Sequence, residues 1–160
     1  MKNTGILFLL LILLIGGIAG MHAQTAVPSQ ALSGKPMKVD KAQFLKYIYN
    51  YEKNPDAWIY EGNIPCIIDF YADWCGPCRK LSPILERVAK KYKGKLVVYK
   101  VDTESQRELA SYFQVRSIPM IVFVPVKGTP QAVIGLVPKG NLEQIIADVL
   151  KIPSVNSTDI

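Results

Sequence analysis

Cysteine and histidine are scarce in this 160-residue chain: three cysteines, Cys66, Cys75 and Cys78, and a single histidine, His22. A structural zinc site ordinarily takes four nitrogen or sulfur ligands. Because His22 falls in a segment expected to be removed, too few ligands remain, and neither a metal nor a bound organic cofactor is expected. Long apolar runs are also missing. The longest, 6–15, is short of the roughly 20 residues that span a bilayer. No internal repeat is visible, and the length suits one domain with a sizeable core. Lysine and arginine outnumber aspartate and glutamate 19 to 13, for a net charge of +6. Yet no basic segment is interleaved with aromatics and no nucleic-acid motif occurs, so no nucleic-acid partner is expected. Lys90, Lys91, Lys93 and Lys95 read instead as the solvated end of a helix.

The amino terminus has the shape of a secretory signal peptide: Lys2, the apolar run, then small residues through Gly20 and Met21-His22-Ala23. Cleavage after Ala23 is expected, with a cut after Gly20 or an uncleaved anchor as alternatives. No lipid-attachment cysteine follows the run, so the product is expected to be soluble and exported, in the periplasm. Residues 24–37, rich in Ala, Ser, Pro and Gln, read as a flexible lead-in, 38–151 as the folded domain and 152–160 as a flexible tail.

What is present is concentrated in Trp74-Cys75-Gly76-Pro77-Cys78-Arg79, directly after the apolar stretch 66–71. Two thiols three residues apart, where a strand gives way to a helix, are spaced to form and break a disulfide with each other. The attacking species in disulfide exchange is the thiolate, and the first helical turn offers unpaired N–H groups and partial positive charge to hold it. Cys75 is therefore expected to be the acidic, exposed nucleophile and Cys78, one turn on, the more deeply covered resolving thiol. Gly76 permits the tight turn, and Pro77 pre-sets a helical φ where an N–H would have no acceptor. Cys66, inside an apolar strand, reads as a buried and unreactive small hydrophobe.

Around this motif the pattern alternates. Asp40 caps an amphipathic helix expected to run to Asn54-Pro55. A connector containing Trp58 to Asn63 has no evident role and leads to a strand from 64 or 65 to 71. A helix follows from 75 to 92, closed by Gly94, then a strand 96–101 and a short helix 105–113. Strands 120–124 and 131–136 form a hairpin, and a helix 141–151 closes the chain. A βαβ crossover followed by a hairpin and a helix gives an α/β fold, a mixed sheet with helices on both faces.

The segment from Asp69 to Arg79 resembles the active-site segment of the thioredoxin family. Pro83 within the following helix, the strand ending Lys100-Val101-Asp102, the loop Val115-Arg116-Ser117-Ile118-Pro119, and Gly135 with Lys139-Gly140-Asn141-Leu142 extend the resemblance over about 38–150. Only 41 positions separate Cys78 from Pro119, which leaves no room for a DsbA-like helical insertion.

The resemblance implies the thioredoxin fold and a redox disulfide, Cys75–Cys78. It implies that Asp69, raised in pKa by burial, accepts the proton of Cys78, that Lys100 supports it by moderating that pKa, and that Pro119 is cis. Ile118 and Pro119 would then border a groove for an extended substrate strand, with Trp74 as an apolar platform or a core residue. Met120 departs from the threonine common after this proline. The implied activity is reduction of disulfides in extracytoplasmic client proteins by a monomer recharged by a membrane electron donor such as a DsbD-like transporter. The alternatives are an oxidase or isomerase running in the opposite direction, and a client-binding module.

Overall fold

A computed structural model describes residues 27–153; the expected leader, 1–23, lies outside the described residues, as does the tail beyond 153. Five strands form one sheet: β1 (Met37–Lys38), β2 (Cys66–Tyr71), β3 (Val97–Asp102), β4 (Met120–Val124) and β5 (Gln131–Ile134). Their order is β1-β3-β2-β4-β5, with β1, β3 and β2 parallel and β4 and β5 antiparallel to their neighbours. The helices are α1 (Lys41–Tyr47), α2 (Gly76–Lys91), α3 (Arg107–Tyr112) and α4 (Lys139–Leu150). Among the described residues no helix is long and apolar enough to cross a membrane.

Alternation along the strands sorts the core into two layers. Cys66, Ile68 and Phe70 of β2 pack with Phe44 of α1 and Leu109 of α3 on one face. On the other, Ile67 packs with Leu81, Leu85 and Val88 of α2 and with Leu142, Ile146 and Leu150 of α4. By the same alternation Asp69 shares the face of Ile67 and lies beneath α2. Strand β2 is buried throughout because both faces are covered, which is why it reads as a continuous apolar run.

Several boundaries differ from the sequence pattern. Helix α1 ends at Tyr47, well short of Asn54-Pro55. Tyr49 instead forms an isolated antiparallel bridge with Tyr60. Its ring packs 4.3 Å from Trp58, while Tyr51 stacks 4.0 Å from Tyr112. These aromatic contacts draw the chain out of the helix and give the connector a structural role. The Tyr60 hydroxyl donates to the Ile64 carbonyl at 2.6 Å, fixing the approach to β2. Strand β1, with two residues, is too short to register as a period.

The lead-in and tail are corrected as well. A 3-10 turn spans Ala31–Ser33, Ala31 is buried, and Val27 and Leu32 pack against the core. Ile152 is buried against the α2/α4 layer. Composition suggested linkers at both ends, but docking of these few apolar side chains extends the folded unit past 38 and 151.

Candidate functional site

The dithiol sits off the carboxyl end of the central strand. Strand β2 ends at Tyr71, and Cys75 is the N-cap of α2, with extended backbone (φ −73°, ψ 110°). Pro77 occupies the first turn, where its missing N–H costs nothing, and the Cys78 N–H donates to the Cys75 sulfur at 3.2 Å. This sulfur therefore takes the place of a capping oxygen, and a thiolate there would gain both the hydrogen bond and the positive end of the helix dipole.

Cys75 and Cys78 form a disulfide, with their Cα atoms 5.2 Å apart. One expectation is corrected here: with the disulfide closed, Cys75 is as covered as Cys78, at 3% and 4% exposure. Tyr71, Ala72 and Ile118 enclose the pair.

The Ile118–Pro119 peptide is cis. The Cys75 sulfur lies 3.8 Å from the Ile118 carbonyl oxygen; this is a packing contact, since a disulfide sulfur carries no proton to donate. The Pro119 carbonyl accepts from the Gly135 N–H at 2.8 Å, and Gly135 has φ +98°, a conformation that glycine adopts without steric cost. Trp74 is 68% exposed, so it is a surface platform and not a core residue. Ile134 and Leu136, on either side of Gly135, are also exposed. The sequence pattern places both in a strand 131–136, whereas β5 ends at Ile134 and Leu136 lies beyond it. Gly135 at the end of a short hairpin strand was the available signal.

Beneath the motif, Asp69 is paired in register with Lys100 across the parallel β2/β3 ladder. The Lys100 Nζ is 3.3 Å from Asp69 Oδ2, and Asp69 is 1% exposed. Burial raises the Asp69 pKa, and Lys100 partly offsets the rise. Asp69 Oδ1 has no hydrogen-bond partner among the described residues. The Lys100 ammonium also donates to Ser82 Oγ at 3.0 Å and lies 4.3 Å from the centre of the Tyr71 ring. Ser82, a residue the sequence pattern left unremarked, follows Cys78 by one turn of α2. Both residues line a small cavity of about 140 Å³ that Lys100 also borders, so resolving thiol and ammonium share one space.

Cys66 lies apart from the pair, fully buried in β2, and burial pushes its thiol up to about 12. No group of three or more His, Cys, Asp or Glu able to hold a metal occurs among the described residues.

The arrangement can carry two electrons as a dithiol/disulfide couple, with a proton-accepting group buried below and an apolar rim around it. Residues 46–148 match the family model named Thioredoxin. The thioredoxin of Borreliella burgdorferi is 41% identical over 112 residues, which cover 70% of this chain and 95% of that protein. The M-type chloroplastic thioredoxin of Spinacia oleracea is 36% identical over 96 residues, with 58% of this chain matching 53% of that longer protein. Among solved structures, a thioredoxin variant from Halobacterium salinarum superposes with a TM-score of 0.58 at 27% identity, covering 76% of this chain and 96% of that one. Family match, relatives and a cysteine pair closed at the start of α2 agree: the chain belongs to the thioredoxin family and is a thiol-disulfide oxidoreductase of the protein-disulfide reductase type.

Proposed function

We propose that this reductase works outside the cytoplasm, on disulfides of folding or oxidised exported proteins. The reduced Cys75 thiolate attacks a substrate disulfide. A mixed disulfide forms and the first substrate sulfur leaves, to be protonated from solvent. Cys78 gives its proton to Asp69 and attacks the Cys75 sulfur, which expels the second substrate sulfur and closes the Cys75–Cys78 disulfide. Two electrons pass from the dithiol to the substrate. Lys100 keeps the buried Asp69 ionised often enough to accept the proton, while Ile118, Pro119 and exposed Trp74 hold an extended client segment beside the sulfurs. The closed disulfide is then reduced by a donor, and for an exported protein those electrons cross the membrane, as a DsbD-like transporter would supply.

The observation that carries the chemistry is the disulfide at the α2 N-cap above the Asp69–Lys100 pair. The location rests on the signal-like segment 1–23 alone. Two measurements test the two halves. Equilibration with glutathione is expected to give a potential near the roughly −270 mV of thioredoxin; a value near the roughly −120 mV of DsbA would reverse the direction of electron flow. Expression of the full chain in a bacterium with an outer membrane should yield periplasmic protein whose first residue is Gln24 or Met21. An intact amino terminus in the cytosolic fraction would refute export and leave the chemistry standing.

A further inference from the structure

A cavity of about 800 Å³ lies beside the dithiol site and meets the reaction above at Lys100, which lines both. Its walls include Lys35, Lys38, Lys90, Lys93 and Lys100, with Tyr71 between them; the carboxylates lining it are those of Asp73 and Glu86. With Lys100 paired to Asp69, four further ammonium groups against two carboxylates leave a concave surface of positive charge, and its volume falls within the roughly 300–1,000 Å³ of small-molecule sites.

Tyr71 supplies an independent observation. The residue is 4% exposed, and its hydroxyl, although buried, has no hydrogen-bond partner among the described residues. A buried hydroxyl without a partner is costly, and a phenol is a donor that an anionic oxygen would satisfy. The ammonium groups of Lys38 and Lys100 lie 5.6 Å and 4.3 Å from the centre of the same ring. Lys100 is engaged by Asp69 and Ser82, which leaves the Lys38 ammonium and the Tyr71 hydroxyl as donors on this part of the wall.

The other side of the cavity is built by the lead-in. Ser33, Gly34, Lys35, Pro36 and Lys38 line it, all before α1 begins. Gly34 has φ +78°, and a Cβ placed there would come within 3.3 Å of the Lys93 side chain, so the lead-in lies close against the end of α2.

We propose that this cavity binds a small organic polyanion, a molecule with two or three negative charges carried on phosphate or carboxylate groups, through Lys35, Lys38, Lys93 and the Tyr71 hydroxyl. Calorimetric titration of the full chain with pyrophosphate and with citrate, each at constant ionic strength, tests it. Saturable one-to-one binding of at least one probe is expected, and the probe preferred assigns the ligand to phosphate or carboxylate chemistry. Lys35→Gln and Lys93→Gln should each weaken that binding by about tenfold, whereas Lys127→Gln, the same loss of charge at the far end of the sheet, should change it by less than about twofold. Circular dichroism checks that each variant is folded. The proposal fails if neither probe gives saturable binding, or if Lys127→Gln weakens it as much as Lys93→Gln, because the effect would then be one of net charge.

Discussion

At the scale of single residues, the most consequential is a carboxylate in a place unfavourable to charge. Asp69 is buried with one oxygen that has no hydrogen-bond partner among the described residues, and its pKa is raised by that burial. A folded-state pKa above the unfolded value means that the native protein binds the extra proton between the two. Stability is therefore greatest below the unfolded pKa and falls as pH rises through the folded one. Asp69→Asn is expected to raise the unfolding midpoint relative to the parent at pH 8, with the gain disappearing below about pH 4. The same change should slow the resolving step by about a hundredfold near neutral pH. The deficit should narrow as pH approaches the roughly 8.5 of an ordinary thiol, where Cys78 loses its proton unaided. Stopped-flow reduction of a fluorescent disulfide across pH gives both numbers; an unchanged profile would remove Asp69 from the reaction.

Some of this was legible in the sequence and some was not. Cys75, Cys78 and Asp69 declare themselves because their chemistry conflicts with an apolar strand or depends on a fixed spacing. Ser82 does not, since a serine inside a helix reads as solvated. Its contact with Lys100 exists only because β3 lies beside β2 in one register. The exposure of Ile134 is hidden for a related reason: β5 is an edge strand, and edges are a property of sheet order.

Among the elements, strands covered on both faces were the easiest to read, and β4 falls where its continuous apolar run placed it, at Met120–Val124. Helix α1 is shorter than its pattern because Tyr51, which continues a helical apolar spacing, stacks its ring on Tyr112 from another element. The start of α1, in contrast, is fixed locally by a capping box. Asp40 Oδ1 accepts from the Gln43 N–H at 2.8 Å, and Gln43 Oε1 accepts from the Asp40 N–H at 3.2 Å. Asp40→Ala should cost about 1 kcal/mol of stability, read as a lower urea midpoint at unchanged slope, with disulfide reduction unaffected. A loss of activity without a loss of stability would mean that α1 contributes to the site directly.

For the whole molecule, the unit that folds is longer than its apolar periodicity suggests. Ala31 is buried, and Val27 and Leu32 lean on the core shared by β1, β3 and α1. Burying an aliphatic side chain fully is worth roughly 1.5–3 kcal/mol, and here two of the three are only partly covered. Removing residues 24–36 should therefore lower stability by about 2–4 kcal/mol while leaving the dithiol potential unchanged. Equal melting temperatures for the two forms would restore the lead-in to the status of a linker.

The pairing of Asp69 with Lys100 across β2 and β3 has a consequence for quality control during folding. Side chains alternate along a strand, so a slip of one position would turn the carboxylate toward α1 and α3 and set Ile68 or Phe70 under the sulfurs. Such a misaligned chain would still carry both cysteines and could still close them into a ring, yet the second sulfur would have no neighbour to take its proton. Turnover therefore reports on strand alignment, which a thiol count cannot detect.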